Sequence, residues 1–163
     1  MFDDLLEANR HYQQGFQDTG LSGVAAKELA VLTCIDSRID PLAMLGLKAG
    51  EAKIIRNAGA RMTDDALRCL ILATNLLGAK RVVVIPHTEC AMAGSTEEEM
   101  QAKVSRARGL DAGGHRFLAT TDQLATLRED LARLRACELI PDDVEVGAFL
   151  FDVRTGALTP AEL

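Results

Sequence analysis

Three short apolar runs constrain the fold of this chain more than any other feature of its sequence. They lie at residues 28–35 (ELAVLTCI), 52–59 (AKIIRNAG) and 81–87 (RVVVIPH). Runs of this length with apolar residues on both faces are typical of strands buried between two layers, as in a parallel sheet covered by helices. We therefore predict three parallel strands.

A well-marked helix separates the second run from the third. Residues 63–80 begin with Thr63 or Asp64 as the N-cap, continue with acidic residues in the first turn, and end near Gly78. Strand, helix and strand in this order make a βαβ unit, whose crossover is expected to be right-handed. The predicted fold class is α/β, with a central, mainly parallel sheet flanked by helices.

Two further helices are indicated by capping boxes, in which two side chains satisfy the free backbone amides at a helix start. Ser95 pairs with Glu98 in the first box, and Thr120 pairs with Gln123 in the second. The segment between these helices, residues 109–117, contains three glycines. It is predicted to be a mobile loop.

The two ends of the chain are predicted to form a helix and a strand. Residues 2–16 carry apolar side chains at an imperfect helical spacing, which predicts an N-terminal helix in need of a partner surface. Residues 143–158 alternate in polarity and turn at Thr155 and Gly156, which predicts a strand or a hairpin. No repeat or linker interrupts the sequence, so we expect a single domain over residues 1–163.

Charge and hydropathy argue against two classes of partner. The chain has 18 Lys and Arg against 24 Asp and Glu, a net charge of −6, and no basic stripe that would bind nucleic acid. Its first residues are acidic where a secretory signal is basic, and no apolar stretch approaches the ~20 residues of a membrane span. We expect a cytoplasmic protein without nucleic-acid or membrane partners.

The four cysteines are Cys34, Cys69, Cys90 and Cys137. They could in principle form two disulfides, but scattered cysteines in a cytoplasmic chain are more often core residues, metal ligands or catalytic thiols. Cys69 and Cys137 have no neighbours that would complete a metal site, so we expect both to pack in the core.

Three side chains that bind metals fall at the predicted carboxyl ends of two strands. Cys34 comes at the end of the first run, and His87 and Cys90 follow the third in an H-x-x-C spacing. Open α/β sheets form their sites at this edge. Two cysteines and one histidine leave one position of a tetrahedral zinc ion open, which is typical of catalytic zinc.

Asp36 and Arg38 follow Cys34 by two and four residues. In an extended chain the three side chains point to one side, which predicts an ion pair beside the metal. The pair matters because two thiolates cancel the charge of Zn²⁺, so the metal alone acidifies a water molecule less than it would with neutral ligands. Asp36 would either orient that water or replace it as a fourth ligand and close the site.

These residues lie in segments that resemble a known family. CIDSRIDP, IIRNAGARMTDDALR and VVVIPHTECAMAG are similar to the zinc-binding and pocket segments of β-class carbonic anhydrases, particularly the short bacterial and archaeal kind, over most of residues 25–105. The resemblance implies a catalytic dyad of Asp36 and Arg38. It implies three zinc ligands, which are Cys34, His87 and Cys90.

The resemblance also implies how substrate and partner subunit are bound. The residues expected to line the substrate site are Asn57, Ala58, Gly59 and Ala60. The family has a mainly parallel sheet of about four strands, to which a C-terminal strand is added here, and an N-terminal helix that packs on a second subunit of an obligate dimer. This chain departs from the family at Ala91, where glycine is usual, and at Pro86, where a histidine is frequent.

The implied function is that of an enzyme, a carbonic anhydrase that converts CO2 reversibly to bicarbonate and a proton. Two alternatives stay open, which are hydrolysis of COS or CS2 at the same zinc, and zinc binding without catalysis. A cysteine phosphatase is disfavoured, because three residues separate Cys34 from Arg38 where such enzymes use five. His115 is more often a loop residue than a proton shuttle in such a setting.

Overall fold

The computed structural model describes residues 1–162, whose strands form one five-stranded sheet. The strands are β1 (Leu29–Cys34), β2 (Ala52–Asn57), β3 (Arg81–Ile85), β4 (Glu145–Phe151) and β5 (Leu158–Pro160). Their order is β2-β1-β3-β4-β5, and only β5 is antiparallel to its neighbour. The predicted α/β class is confirmed, and the chain end forms the hairpin of β4 and β5.

The helices are α1 (Asp3–Gly15), α2 (Pro41–Met44), α3 (Asp64–Leu76), α4 (Glu97–Arg108) and α5 (Gln123–Arg135), and a 3-10 turn spans Ala58–Ala60. The predicted helix between the second and third strands is α3. Its N-cap is Thr63, whose side chain accepts a hydrogen bond from the Ala66 amide. Residues 109–117 form neither helix nor strand, as expected of a loop.

The first predicted capping box is wrong by one residue. Thr96 and Glu99 form the box that opens α4, with both reciprocal hydrogen bonds present. Ser95 is instead buried, and its hydroxyl oxygen accepts a hydrogen bond from Lys103 Nζ at 2.7 Å. Ser95 and Thr96 could each cap this helix. Thr96 does so because the Ser95 side chain is buried.

The second predicted capping box is wrong as well. The N-cap of α5 is Asp122, whose side chain accepts from the Ala125 amide. Thr120 accepts from the Asp122 amide at 3.0 Å and so forms a turn that precedes the helix. Aspartate is a better N-cap than threonine, which explains the shift of two residues.

Alternate side chains of the strands pack into cores on opposite faces of the sheet. On one face, α3 and α5 cover the central strands. The fully buried strand residues of this face are Ala30, Leu32, Val82 and Val84. On the other face, Val31 and Ile85 pack against Ile39, Phe151 and half-buried residues of α2 and its surroundings. This second face receives no long helix from the described part of the same chain.

Helix α1 buries none of its residues. Its large apolar side chains and those beside it are 57–65% exposed, and they are Phe2, Leu5, Leu6, Tyr12 and Phe16. Such a stripe is unusual on a helix that buries no residue against the described part of its own chain. Within residues 1–162, no helix combines the length and the apolar character that a membrane crossing requires.

Candidate metal centre

The predicted ligands follow the carboxyl ends of two neighbouring strands. Cys34 is the last residue of β1, and His87 lies two residues beyond Ile85, where β3 ends. The chain changes direction across the sheet at this point, because β2 lies on one side of β1 and β3 lies on the other. Such a switch point leaves a crevice at the carboxyl ends of the strands, where α/β proteins usually bind their ligands.

Cys34, His87 and Cys90 form one buried cluster. One ligand atom from each residue lies within 4.8 Å of the other two, and the two sulfur atoms are 3.9 Å apart. A tetrahedral zinc ion with Zn–S bonds of about 2.3 Å would place its two sulfurs ~3.8 Å apart, so the cluster has the right size. The three residues are only 4%, 1% and 5% exposed.

The ring of His87 is oriented as a metal ligand would be. Its Nδ1 lies 2.8 Å from the Thr88 carbonyl oxygen, which can only accept, so Nδ1 carries the proton. In the neutral ring, Nε2 then has a free lone pair. This atom is buried and finds no hydrogen-bond partner among the described residues, although leaving a buried polar atom unpaired costs roughly 1–3 kcal/mol. A metal ion would supply the missing partner, so the residues fit a metal.

Cys34 carries the negative charge of the cysteine pair. The hydrogen bond from the Cys90 thiol lowers the pKa of Cys34, and the Gly59 backbone amide, 3.3 Å from the Cys34 sulfur, lowers it further. The Cys34 thiolate and burial together raise the pKa of Cys90. The two sulfurs thus share one proton, which a divalent cation would displace.

The segment after β2 supports this thiolate. Gly59 has a φ of +81°, and a Cβ at this position would lie 3.1 Å from the Cβ of Met92, so the turn requires glycine. The Asn57 side chain closes the turn by accepting from the Arg61 amide at 2.8 Å and donating to the Arg61 carbonyl at 2.7 Å. The substrate-binding role expected for this segment stays a prediction for all four residues: Asn57, Ala58, Gly59 and Ala60.

Asp36 and Arg38 form a bidentate ion pair beside the cluster. Arg38 Nε and Nη2 donate to the two carboxylate oxygens of Asp36, at 3.0 and 2.7 Å. Oδ2 of Asp36 lies 3.8 Å from Nε2 of His87. The predicted extended course of residues 34–38 is wrong, because β1 ends at Cys34 and the Asp36 side chain closes a turn with the Arg38 amide.

The ion pair keeps Asp36 ionised. Hydrogen bonds from the Arg38 guanidinium and amide hold the pKa of the Asp36 carboxyl far below its usual range. Arg56 of β2 fixes the backbone on which the pair is built, because its guanidinium donates to the carbonyls of Cys34 and Asp36 at 2.8 and 2.7 Å. The carboxylate is therefore a fixed, charged acceptor at the edge of the cluster.

Two charged residues outside the predicted site extend this ion pair. The Glu89 carboxylate accepts from Arg38 Nη1 at 3.3 Å, and the Glu89 carbonyl accepts from Arg38 Nη2 at 3.3 Å. Arg154, in the turn after β4, donates through Nε to the same carboxylate. Only the place of Glu89 between His87 and Cys90 could have drawn attention to it.

The remaining cysteines and His115 lie outside the cluster. All four cysteines are free. Cys137 is half-buried against the core of α3 and α5, as expected, whereas half-buried Cys69 is not among the residues of that core. His115 is exposed, and its ring centre is 6.4 Å from that of Phe117.

Known proteins are similar to this chain in sequence and in fold. A family model described as "Carbonic anhydrase" matches residues 29–158. Beta-carbonic anhydrase 1 of Mycobacterium tuberculosis (strain ATCC 25618 / H37Rv) is 33% identical over 156 residues, covering 96% of this chain and 94% of the relative. Carbon disulfide hydrolase of Acidianus sp. (strain A1-3) is also 33% identical over 156 residues, with 81% of this chain and 76% of the relative covered.

A solved structure extends this similarity to the whole fold. Carbonic anhydrase from Streptococcus mutans matches with a TM-score of 0.91 and 36% identity, over 99% of this chain and 97% of that chain. The family model matches residues 29–158, and the mycobacterial and streptococcal carbonic anhydrases match nearly the whole chain. This chain belongs to the β-class carbonic anhydrase family.

Proposed function

We propose that this protein catalyses the reversible hydration of carbon dioxide to bicarbonate and a proton, with zinc held by Cys34, His87 and Cys90. The observation that carries the proposal is the buried, unpaired Nε2 of His87 beside two sulfur atoms 3.9 Å apart, with ionised Asp36 next to them. Zinc at this position would supply the Lewis acidity that lowers the pKa of a water molecule towards neutrality.

Asp36 would orient the attacking water. Each of its oxygens accepts one guanidinium hydrogen bond from Arg38, and a carboxylate oxygen can accept two. Oδ2 therefore keeps room for a water that lies between it and the ligand cluster. A water that donates to Oδ2 directs its lone pair away from Asp36 and towards the carbon of CO2. Because the pKa of Asp36 is so low, the released proton passes to solvent or buffer.

The paired state of Asp36 is, in this proposal, the active one. To become a fourth metal ligand, the carboxylate would have to leave the two hydrogen bonds from Arg38, which measure 3.0 and 2.7 Å. The closed state would also place three negative ligands around one divalent ion. Both costs favour the arrangement in which Arg38 holds Asp36 and the fourth position stays available.

A metal analysis combined with a hydration assay tests this function. We expect about one zinc ion per chain and CO2 hydration that rises between about pH 7 and 9, because zinc with neutral ligands lowers the pKa of bound water to about 7 and two thiolate ligands weaken that effect. Removal of zinc by a chelator should abolish the activity, and added zinc should restore it. Protein with a full complement of zinc but without CO2 hydration would instead support zinc binding without catalysis.

Hydrolysis of carbon disulfide is a second candidate at the same site. The relative named carbon disulfide hydrolase is 33% identical to this chain, like the mycobacterial carbonic anhydrase, although its match covers 81% of this chain against 96%. Ala91, which follows the proposed ligand Cys90 and stands where the family usually has glycine, is exposed beside the site. Turnover of CO2, COS and CS2 by one preparation separates the candidates, and we expect CO2 to be turned over fastest.

The exposed stripe of α1 supports a homodimer, in which the helix of one subunit packs on the other. We expect a dimer in light scattering, and replacement of both Leu5 and Leu6 by glutamate should give monomers, since burying two carboxylates in an apolar contact is strongly unfavourable. His11→Glu combined with Gln14→Glu, on the opposite face of α1, is the matched control and should stay dimeric. A dimer that survives the first double substitution would rule out this contact.

The chemistry of the cluster also bears on where the protein acts. Cys34 and Cys90 must remain reduced to bind zinc, and all four cysteines are free. A reducing compartment maintains this state, and the cytoplasm is therefore the proposed location.

A further inference from the structure

Four charged side chains of alternating sign run from the metal site to the turn after β4. In order they are Asp36, Arg38, Glu89 and Arg154, joined by three successive ion pairs. We propose that Glu89 is a positioning residue, which fixes the Arg38 guanidinium and thereby holds Asp36 at the water position rather than on the metal, and that Arg154 supports Glu89. This inference rests on the proposed carbonic anhydrase function.

The guanidinium of Arg38 is held along two of its edges by different residues. Nε and Nη2 donate to Asp36, while Nη1 and Nη2 donate to the carboxylate and carbonyl of Glu89. If Asp36 were its sole partner, the guanidinium could follow that carboxylate as it rotated towards the metal. The contacts with Glu89 anchor it instead to the segment that carries His87 and Cys90, so its distance from the ligands is fixed.

The backbone of Glu89 is held in place through the residue that precedes it. Glu89 has a φ of +56°, a left-handed conformation that is costly for a residue other than glycine. The preceding residue, Thr88, is bonded to the end of β4 and the turn that follows, since its amide donates to the Phe151 carbonyl at 2.9 Å and its hydroxyl accepts from the Val153 amide at 3.2 Å. The same turn carries Arg154, so backbone and side chain contacts reinforce each other.

The expected change in kcat follows from how exposed the ion-paired side chains are. The side chains of Arg38, Glu89 and Arg154 are 45%, 42% and 76% exposed. Loss of an exposed ion pair shifts the equilibrium between the held and the released Arg38 guanidinium by up to about fivefold. We expect the rate to fall by the same factor, because fewer molecules then hold Asp36 at the water position. We therefore expect a reduction of kcat by about fivefold in Glu89→Gln and about twofold in Arg154→Gln.

Glu28→Gln is a matched control for Glu89→Gln. Glu28 also has a left-handed backbone, with a φ of +52°, and is also ion-paired, to Lys80 at 3.8 Å. It precedes β1 and so lies at the opposite end of that strand from Cys34. Glu89→Gln should lower kcat while KM, zinc content and melting temperature stay as in the wild type, whereas Glu28→Gln should leave kcat unchanged.

Two further measurements separate positioning from a general loss of structure. Because Arg154 acts through Glu89, the double variant Glu89→Gln, Arg154→Gln should be no slower than Glu89→Gln alone. A crystal structure of zinc-loaded Glu89→Gln should show lengthened contacts between Arg38 and Asp36, or Asp36 bound to zinc. An unmoved Arg38 in that crystal, or equal kcat values for Glu89→Gln and Glu28→Gln, would overturn the proposal. If even the wild type hydrates no CO2, the proposed function fails, and the crystal comparison still decides the positioning role.

Discussion

Replacement of Cys34 by serine is expected to remove zinc and, with it, CO2 hydration. A serine hydroxyl stays protonated near neutral pH and is a poor zinc ligand, whereas Cys34 is the thiol whose pKa the site lowers. Only His87 and Cys90 would then remain as ligands. We expect zinc content below about a tenth of the wild-type value and a hydration rate at least ~1000-fold lower, measured by metal analysis and stopped-flow assay.

The same variant measures how far the metal stabilises the fold. A ligand present at about 1000 times its Kd stabilises the folded state by about 4 kcal/mol. Each kcal/mol moves the melting temperature of a chain of this size by about 2–4 °C, so loss of zinc should lower it by about 10 °C. Wild-type protein stripped of zinc should melt close to the variant.

Cys69→Ser makes the same chemical change outside the cluster. Cys69 is half-buried on α3 and is not among the clustered ligands. It should keep both zinc and activity. Zinc retention by Cys34→Ser would contradict the ligand assignment, and equal zinc loss in both variants would mean that serine disturbs the fold rather than the metal contact.

The two central strands β1 and β3 could be predicted because they are largely buried on both faces and therefore leave apolar runs in the sequence, and β2 leaves a similar run although it is only half-buried at the sheet edge. The cluster of potential metal ligands could be predicted for the same reason, since Cys34 and His87 lie at the ends of two such runs. The first residues of the helices were harder to predict. Ser95 and Thr96 can both act as N-caps locally, and the burial of Ser95 in contact with Lys103 leaves Thr96 as the cap.

The network around Asp36 depends on contacts that no local pattern encodes. The turn that joins Asp36 to Arg38 replaced the expected extended chain, because a side chain of aspartate readily accepts from an amide two residues on. Glu89 and Arg154 are 65 positions apart, and they meet because the turn after β4 packs on the segment after β3. Only the three-dimensional structure shows this pairing.

Replacement of Asp36 by alanine is expected to leave zinc in place and to abolish most turnover. Asp36 is not among the three clustered ligands, and Arg38 would still be held by Glu89. Asp36 acts by orienting the attacking water, and loss of such positioning can lower a rate by about 10²-fold, so we expect kcat to fall by about that factor or more. Zinc content should remain about one per chain, measured on the same sample as the rate.

Asp65→Ala is the control for this change, because Asp65 is also paired with an arginine, Arg68, at 2.7 Å, but on the exposed surface of α3. It should affect neither zinc nor rate. Full activity of Asp36→Ala would remove the ion pair from the mechanism. Zinc loss in Asp36→Ala would make Asp36 a permanent ligand and the resting site a closed one. Zinc retained with turnover lost is the result expected of an aspartate that acts on the water and not on the metal.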